Sequence, residues 1–227
     1  SPPSERPSAP MPVTEASATL EELRALHRPV LARALLCLAF GLLTVFWQPS
    51  NYWSWGDPGL SAVTWAVGLF MIAHGAVLLW LHRSLAAPLA EGPERSAIQS
   101  FAVLYALGGA VALLFAGQLG QLVLIVGLVY GIAGLTELIL GLRTSQTSAM
   151  GRDWTIAGLV AVLAAAGLFL FGEMGSKALF GIVGGAAMIV GVFHLIAALT
   201  FRHDARVLQR HGTRGDSVNR AGDPGGP

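Results

Sequence analysis

The chain has 227 residues, 54% hydrophobic and 12% charged, with a formal net charge of +1. Soluble domains carry about 25% charged residues, so this composition excludes an ordinary soluble domain. It also argues against a nucleic-acid partner, because no broad basic surface is available to neutralise phosphates. The mean hydropathy of +0.62, together with repeated apolar runs of about 20 residues, predicts helices that cross a membrane. Cys37 is the single cysteine and stands within an apolar run, so an intramolecular disulfide and a two-cysteine metal site are excluded. Arginine outnumbers lysine 13 to 1 beside 28 glycines, a bias that suggests a GC-rich, bacterial genome.

Residues 1–18 are rich in Pro, Ser and Ala and predict a disordered tail, since they cannot bury enough apolar surface to offset their ordering entropy. They lack the apolar centre of a signal peptide. Residues 19–29 predict an amphipathic helix along the membrane surface. Thr19 and Glu22 have capping-box spacing, Leu20, Leu23 and Leu26 share one side, and Pro29 starts a new direction. A plain extension of the first span is the alternative. Six spans follow within a membrane domain at 30–201, over 30–47, 60–81, 97–116, 119–142, 154–171 and 177–201. The loop after the first span carries Tyr52, Trp53 and Trp55, with Trp47 before it, a cluster suited to the headgroup level.

Arg6, Arg24, Arg28 and Arg33 precede or open the first span. Arg83, Arg95, Arg143 and Arg152 fall between spans on the same side, and five arginines follow the last span; Lys177 alone belongs to the other side. The positive-inside rule puts both termini in the cytoplasm. Residues 202–227 read as a basic, largely disordered tail. Arg202, Arg206 and Arg210, spaced four apart, would form a stripe facing anionic lipid headgroups if the last helix continued. Ordinary flanking charge is the alternative.

Three helices carry paired glycines seven apart: Gly68 and Gly75, Gly127 and Gly134, Gly184 and Gly191, with offsets of 59 and then 57 residues. Gly41, Gly109 and Gly167 stand in the preceding helix of each pair. The predicted fold is all-α: a polytopic membrane protein of six transmembrane helices in three parallel two-helix repeats, at 30–82, 97–142 and 154–201, around an axis along the membrane normal. Gly127 with Gly131, and Gly181 with Gly185, have GxxxG spacing. Such glycines allow close helix packing in lipid, where hydrophobic burial between helices contributes little.

The stretch LGGAVALLFAGQLGQLVLIVGLVYGIAGLTELILGL, residues 107–142, resembles the short membrane repeat of HdeD-like proteins, in which the second helix reads G-x6-G-x2-E-L-I. Residues 158–199 match again with His194 at the place of the acid, and residues 35–81 match more loosely with Leu78 there. The resemblance implies a bacterial inner-membrane protein of six spans, linked to acid or envelope stress resistance, with no enzymatic activity and no cofactor.

Ionisable groups within a span are costly and mark functional candidates. The candidates are His74, Glu137 and His194, each one to two turns inside the cytoplasmic boundary, with Tyr130 seven residues before Glu137 on the same helical side. They suggest a polar cluster that either responds to protons or fixes helix register. A His–Glu–His metal site would have suitable ligand types, but no i, i+4 pair supports it. No GxSG-like segment supplies a serine nucleophile within a span, and no phosphate-cradling loop with a lysine occurs, so an enzyme is not expected. The rival is a small proton-coupled transporter or channel with Glu137 as relay. The bilayer is the expected partner, with homo-oligomers or other membrane proteins left open.

Overall fold

The computed structural model describes residues 13–47, 59–84, 93–145 and 151–221, with side chains for 24–47, 59–84, 95–145, 151–207 and 209. Six helices account for nearly all of them: α1 (Val13–Phe46), α2 (Leu60–Arg83), α3 (Pro93–Phe115), α4 (Leu119–Thr144), α5 (Gly151–Phe171) and α6 (Ser176–Ala221). A 3₁₀ turn at Gly172–Met174 precedes α6, and no strand occurs among the described residues. All six helices are long and apolar enough to cross a membrane. Helices are one of two structures that satisfy every backbone polar group without water. Side-chain hydroxyls follow the same rule by bonding back to their own helix: Thr44 to Gly41 O at 2.7 Å, Thr144 to Leu140 O at 2.8 Å.

Two elements run longer than the sequence suggests. Residues 19–29 form no separate surface helix, because α1 continues from Val13 through Pro29 into the span. A proline inside a helix removes one backbone hydrogen bond, but packing on α6 holds this segment in line. Leu26 and Val30 are buried, Arg24 Nη2 donates to Gln209 Oε1 at 2.9 Å, and His27 Nδ1–H donates to the Ala198 carbonyl at 2.9 Å. Likewise α6 continues to Ala221 instead of ending near residue 201. Residues 1–12 and 222–227 of the expected tails, and the loop residues Tyr52, Trp53 and Trp55, lie outside the described residues.

The helices close a ring in chain order, with α6 returning to α1. The most extensive pairings are α1 with α6, α4 with α5, and α2 with α3. The tight contacts therefore fall between the expected hairpins, and the glycines account for them. A Cβ at Gly75 would lie 2.6 Å from Ala102 O and 2.8 Å from Ala106 N on α3. One at Gly134 would meet Ala161 Cβ at 2.7 Å and Val162 N at 2.9 Å on α5, and one at Gly191 would meet Leu38 N at 2.9 Å on α1. Gly68 and Gly184 are equally constrained, by Leu113 and by Thr44 respectively, while Gly127 abuts the Phe169 ring. Gly131 makes only ordinary contact, 3.6 Å to Ala165 Cβ. Gly181 and Gly185 have nothing within 4 Å, so this GxxxG faces outward and packs no helix of the bundle.

On the far side, the connections from α3 to α4 and from α5 to α6 are short. Gly117 and Gln118 N–H groups donate to Gln121 Oε1 at 2.9 and 3.2 Å, closing the turn into α4. Gly175, at φ 146°, makes the turn into α6 in a conformation that side chains rarely adopt. Large apolar side chains such as Leu114, Phe115, Leu163 and Leu170 point outward, while Arg33, His74, Glu137 and His194 are buried. Polar inside and apolar outside is the arrangement that lipid demands.

The glycine contacts give a direct test. Gly75→Ala and Gly134→Ala should each lower resistance to detergent unfolding by about 1–3 kcal/mol, the usual overpacking cost. Gly185→Ala, with open space around it, should be neutral or slightly stabilising in the same assay.

Candidate functional site

At the centre of the ring is a buried ion pair. Arg33 Nη2 of α1 lies 2.7 Å from Glu137 Oε1 of α4, and the two side chains are 2% and 1% exposed. Glu137 is 104 residues further along the chain, so the pair joins opposite parts of the ring. The contact is short but poorly aligned as a hydrogen bond, and Arg33 Nε and Nη1 have no hydrogen-bond partner. It is an ion pair, not the bidentate fork of a fully satisfied arginine–carboxylate contact.

Around the pair is a cavity of about 20 Å³ lined by Arg33, Cys37, His74, Tyr105, Tyr130 and Glu137, with small alanines of α5 and α6 closing it. Every helix contributes to its wall. A cavity needs roughly 10–15 Å³ to hold one water, so this one has room for a single molecule near the unpartnered guanidinium nitrogens. Cys37 Sγ lies 3.6 Å from His74 Nδ1. An aromatic chain leads away from the site: Tyr130 to Tyr105 at 5.6 Å, Tyr105 to His74 at 4.8 Å, His74 to Phe70 at 5.6 Å, and Phe70 stacked on Phe40 at 4.0 Å. These contacts tie α4, α3, α2 and α1 together at the depth of the charges.

Three of the expected polar residues, His74, Tyr130 and Glu137, thus meet in one cavity. Tyr130 shares it without donating a hydrogen bond to Glu137; its ring packs edge-on against Tyr105. His194 is also buried, but its Nδ1–H donates to the Val190 carbonyl of its own helix at 2.8 Å, leaving Nε2 without a partner. Among the described residues no three His, Cys, Asp or Glu side chains are grouped closely enough to hold a metal ion. Arg202 and Arg206 are exposed on α6 just past its apolar run, and the side chain of Arg210 lies outside the described residues.

Sequence reasoning missed Arg33, Cys37 and Tyr105. Arg33 was counted with the flanking charges, yet it is 1% exposed inside the bundle. The signal was present: Arg33 falls three residues inside an apolar run that opens at Val30. A lone intramembrane carboxylate also requires a cation, because an unpaired charge is too costly there.

Removing one partner of a buried pair leaves an uncompensated charge, typically at about 3–5 kcal/mol, whereas replacing both with apolar groups is often neutral. Arg33→Met or Glu137→Leu alone should therefore destabilise the purified protein by that amount, and the double variant should recover most of the loss in an SDS-unfolding titration. Cys37 reports the same event: a maleimide should label it in the single variants well before it labels the parent. No family model, curated protein or solved structure matches this chain.

Proposed function

We propose that this chain is a non-enzymatic integral protein of the bacterial inner membrane, of the HdeD-like type, serving acid or envelope stress resistance. The observation that carries this reading is the Arg33–Glu137 pair in a cavity of about 20 Å³. A bundle whose charges are locked together, with space for one water, suits a packed membrane component better than a conduit. The stress assignment itself rests on the resemblance at residues 107–142 and 158–199. Both termini are cytoplasmic on this reading, from the distribution of arginines.

The three-repeat organisation is part of the proposal, and recurring contacts support it. Gly75 meets Ala102 and Ala106, Gly134 meets Ala161 and Val162, and Gly191 meets Leu38, each joining the second helix of one pair to the first helix of another. In this register Gly41 and Gly109 correspond to Ala165, which packs near Gly131, and not to Gly167. Only one copy carries the acid. Glu137 pairs with Arg33 of a different copy, whereas Leu78 and His194 at the matching positions have no charged partner.

A proton-coupled carrier with Glu137 as relay is the second reading, favoured by the unpartnered polar atoms of Arg33 and His194 inside the bundle. Reconstitution in liposomes separates the two. The packed-bundle reading expects no proton or ion flux from neutral to acid pH, and lower acid survival when the gene is deleted. Flux that disappears in Glu137→Gln would transfer the protein to the carriers, and unchanged acid survival would remove the stress role.

A further inference from the structure

The two helix extensions build a second site. Where α1 and α6 run beyond the bundle they lean on the end of α2, enclosing a groove of about 610 Å³. Arg24 and Arg28 come from α1, Arg202 and Arg206 from α6, and Trp80 from the last turns of α2. The volume is within the range of small-molecule sites, roughly 300–1,000 Å³. Four arginines line it, and among the described residues no acidic side chain does. None of these four arginines forms a salt bridge with a described carboxylate. Together they make the groove cationic and suited to an anion.

We propose that this groove is a binding site for the headgroup of an anionic phospholipid, with its phosphate held by Arg28, Arg202 and Arg206. The structure favours a lipid over a free anion for two reasons. The groove lies where the apolar runs of α1, α2 and α6 give way to arginines, the kind of boundary at which headgroups are met. One wall is Trp80, 45% exposed, of the residue type that seats at that interface, and the buried Phe201 and Pro29 form an apolar floor. A phosphate held there would leave the acyl chains beside the outward-facing apolar surfaces of α2 and α6.

The site also has a structural consequence. Pro29 has no N–H to offer the carbonyl one turn earlier, and the stretch before it is tied to α6 by Arg24 to Gln209 and His27 to Ala198. A phosphate bridging Arg28 and Arg202 would add a tie across the same pair of helices. The bound lipid then stabilises the pairing of α1 with α6 at this end of the bundle.

The proposal rests on the inward orientation proposed above for its cellular leaflet, but its binding test does not, because it is made in detergent where both ends are accessible. The full chain is titrated with short-chain phosphatidylglycerol, phosphatidylcholine or inorganic phosphate, with lipid retention read by native mass spectrometry and stabilisation by thermal unfolding. Phosphatidylglycerol should bind and stabilise, phosphatidylcholine should not, and inorganic phosphate should not replace it. Arg28→Gln with Arg202→Gln should weaken phosphatidylglycerol by about 5-fold for each arginine removed, while Arg83→Gln with Arg152→Gln, exposed basic residues outside the groove, should bind like the parent. Arg206→Gln alone provides a milder variant if the double substitution lowers the yield of folded protein. Equal loss in the two double variants, equal binding of both lipids, or full displacement by inorganic phosphate would each overturn the proposal. Orientation is read separately, by labelling an added cysteine from each side of intact cells.

Discussion

The Arg33–Glu137 contact constrains the rest of the structure because neither charge can be left alone in hydrocarbon. Burying an ion pair costs desolvation on both sides, and the attraction repays it only with good geometry and further hydrogen bonds. Here two nitrogens of Arg33 remain without partners, so the pair is better understood as a device for specifying arrangement than as a source of stability. α1 and α4 are not extensive packing neighbours, yet their charges must meet. That requirement fixes the rotation of both helices about their axes and, through them, the order of the ring.

Glycine packing is the second part of this logic. Between apolar helices in lipid the gain comes from close approach, and the pairs α1–α6, α2–α3 and α4–α5 approach until a single Cβ would strike backbone atoms. These three tight seams alternate with looser contacts around the ring. The polar centre lies where the looser contacts would otherwise leave space, and tyrosine, histidine and cysteine side chains fill it. A water-sized cavity remains, beside the nitrogens that lack a partner. Tight seams and a polar centre divide the work: the seams hold pairs of helices, and the charge pair holds the pairs to each other.

The two ends of the bundle differ in kind. On one side two of the connections, α3–α4 and α5–α6, are brief, closed by Gln121 and Gly175. On the other, α1 and α6 continue as long helices whose arginines surround an open groove. The charge pair lies at the polar centre of the bundle, and the cluster of arginines lies at one end of it. That end is the one where α1 begins and α6 ends.

The sequence by itself determined the six spans, the apolar exterior, the glycine seams and the charge bias between the two sides. Each depends on local composition or on a spacing within one helix, and a helix in lipid must satisfy its own backbone. Glu137 and His74 were legible as buried candidates for the same reason: an ionisable group in an apolar run stands out. What only the tertiary structure decided was who meets whom. Arg33 looked like a flanking charge because a position three residues inside a span is compatible with either snorkelling outward or pairing inward. The rotation of α1 against α6 and the presence of Glu137 across the ring turned it inward. Likewise Gly181 and Gly185 had the spacing of a packing face, but spacing does not say which face of α6 meets a neighbour. Partner choice is a property of the whole ring, set by contacts more than a hundred residues apart, and no local pattern encodes it.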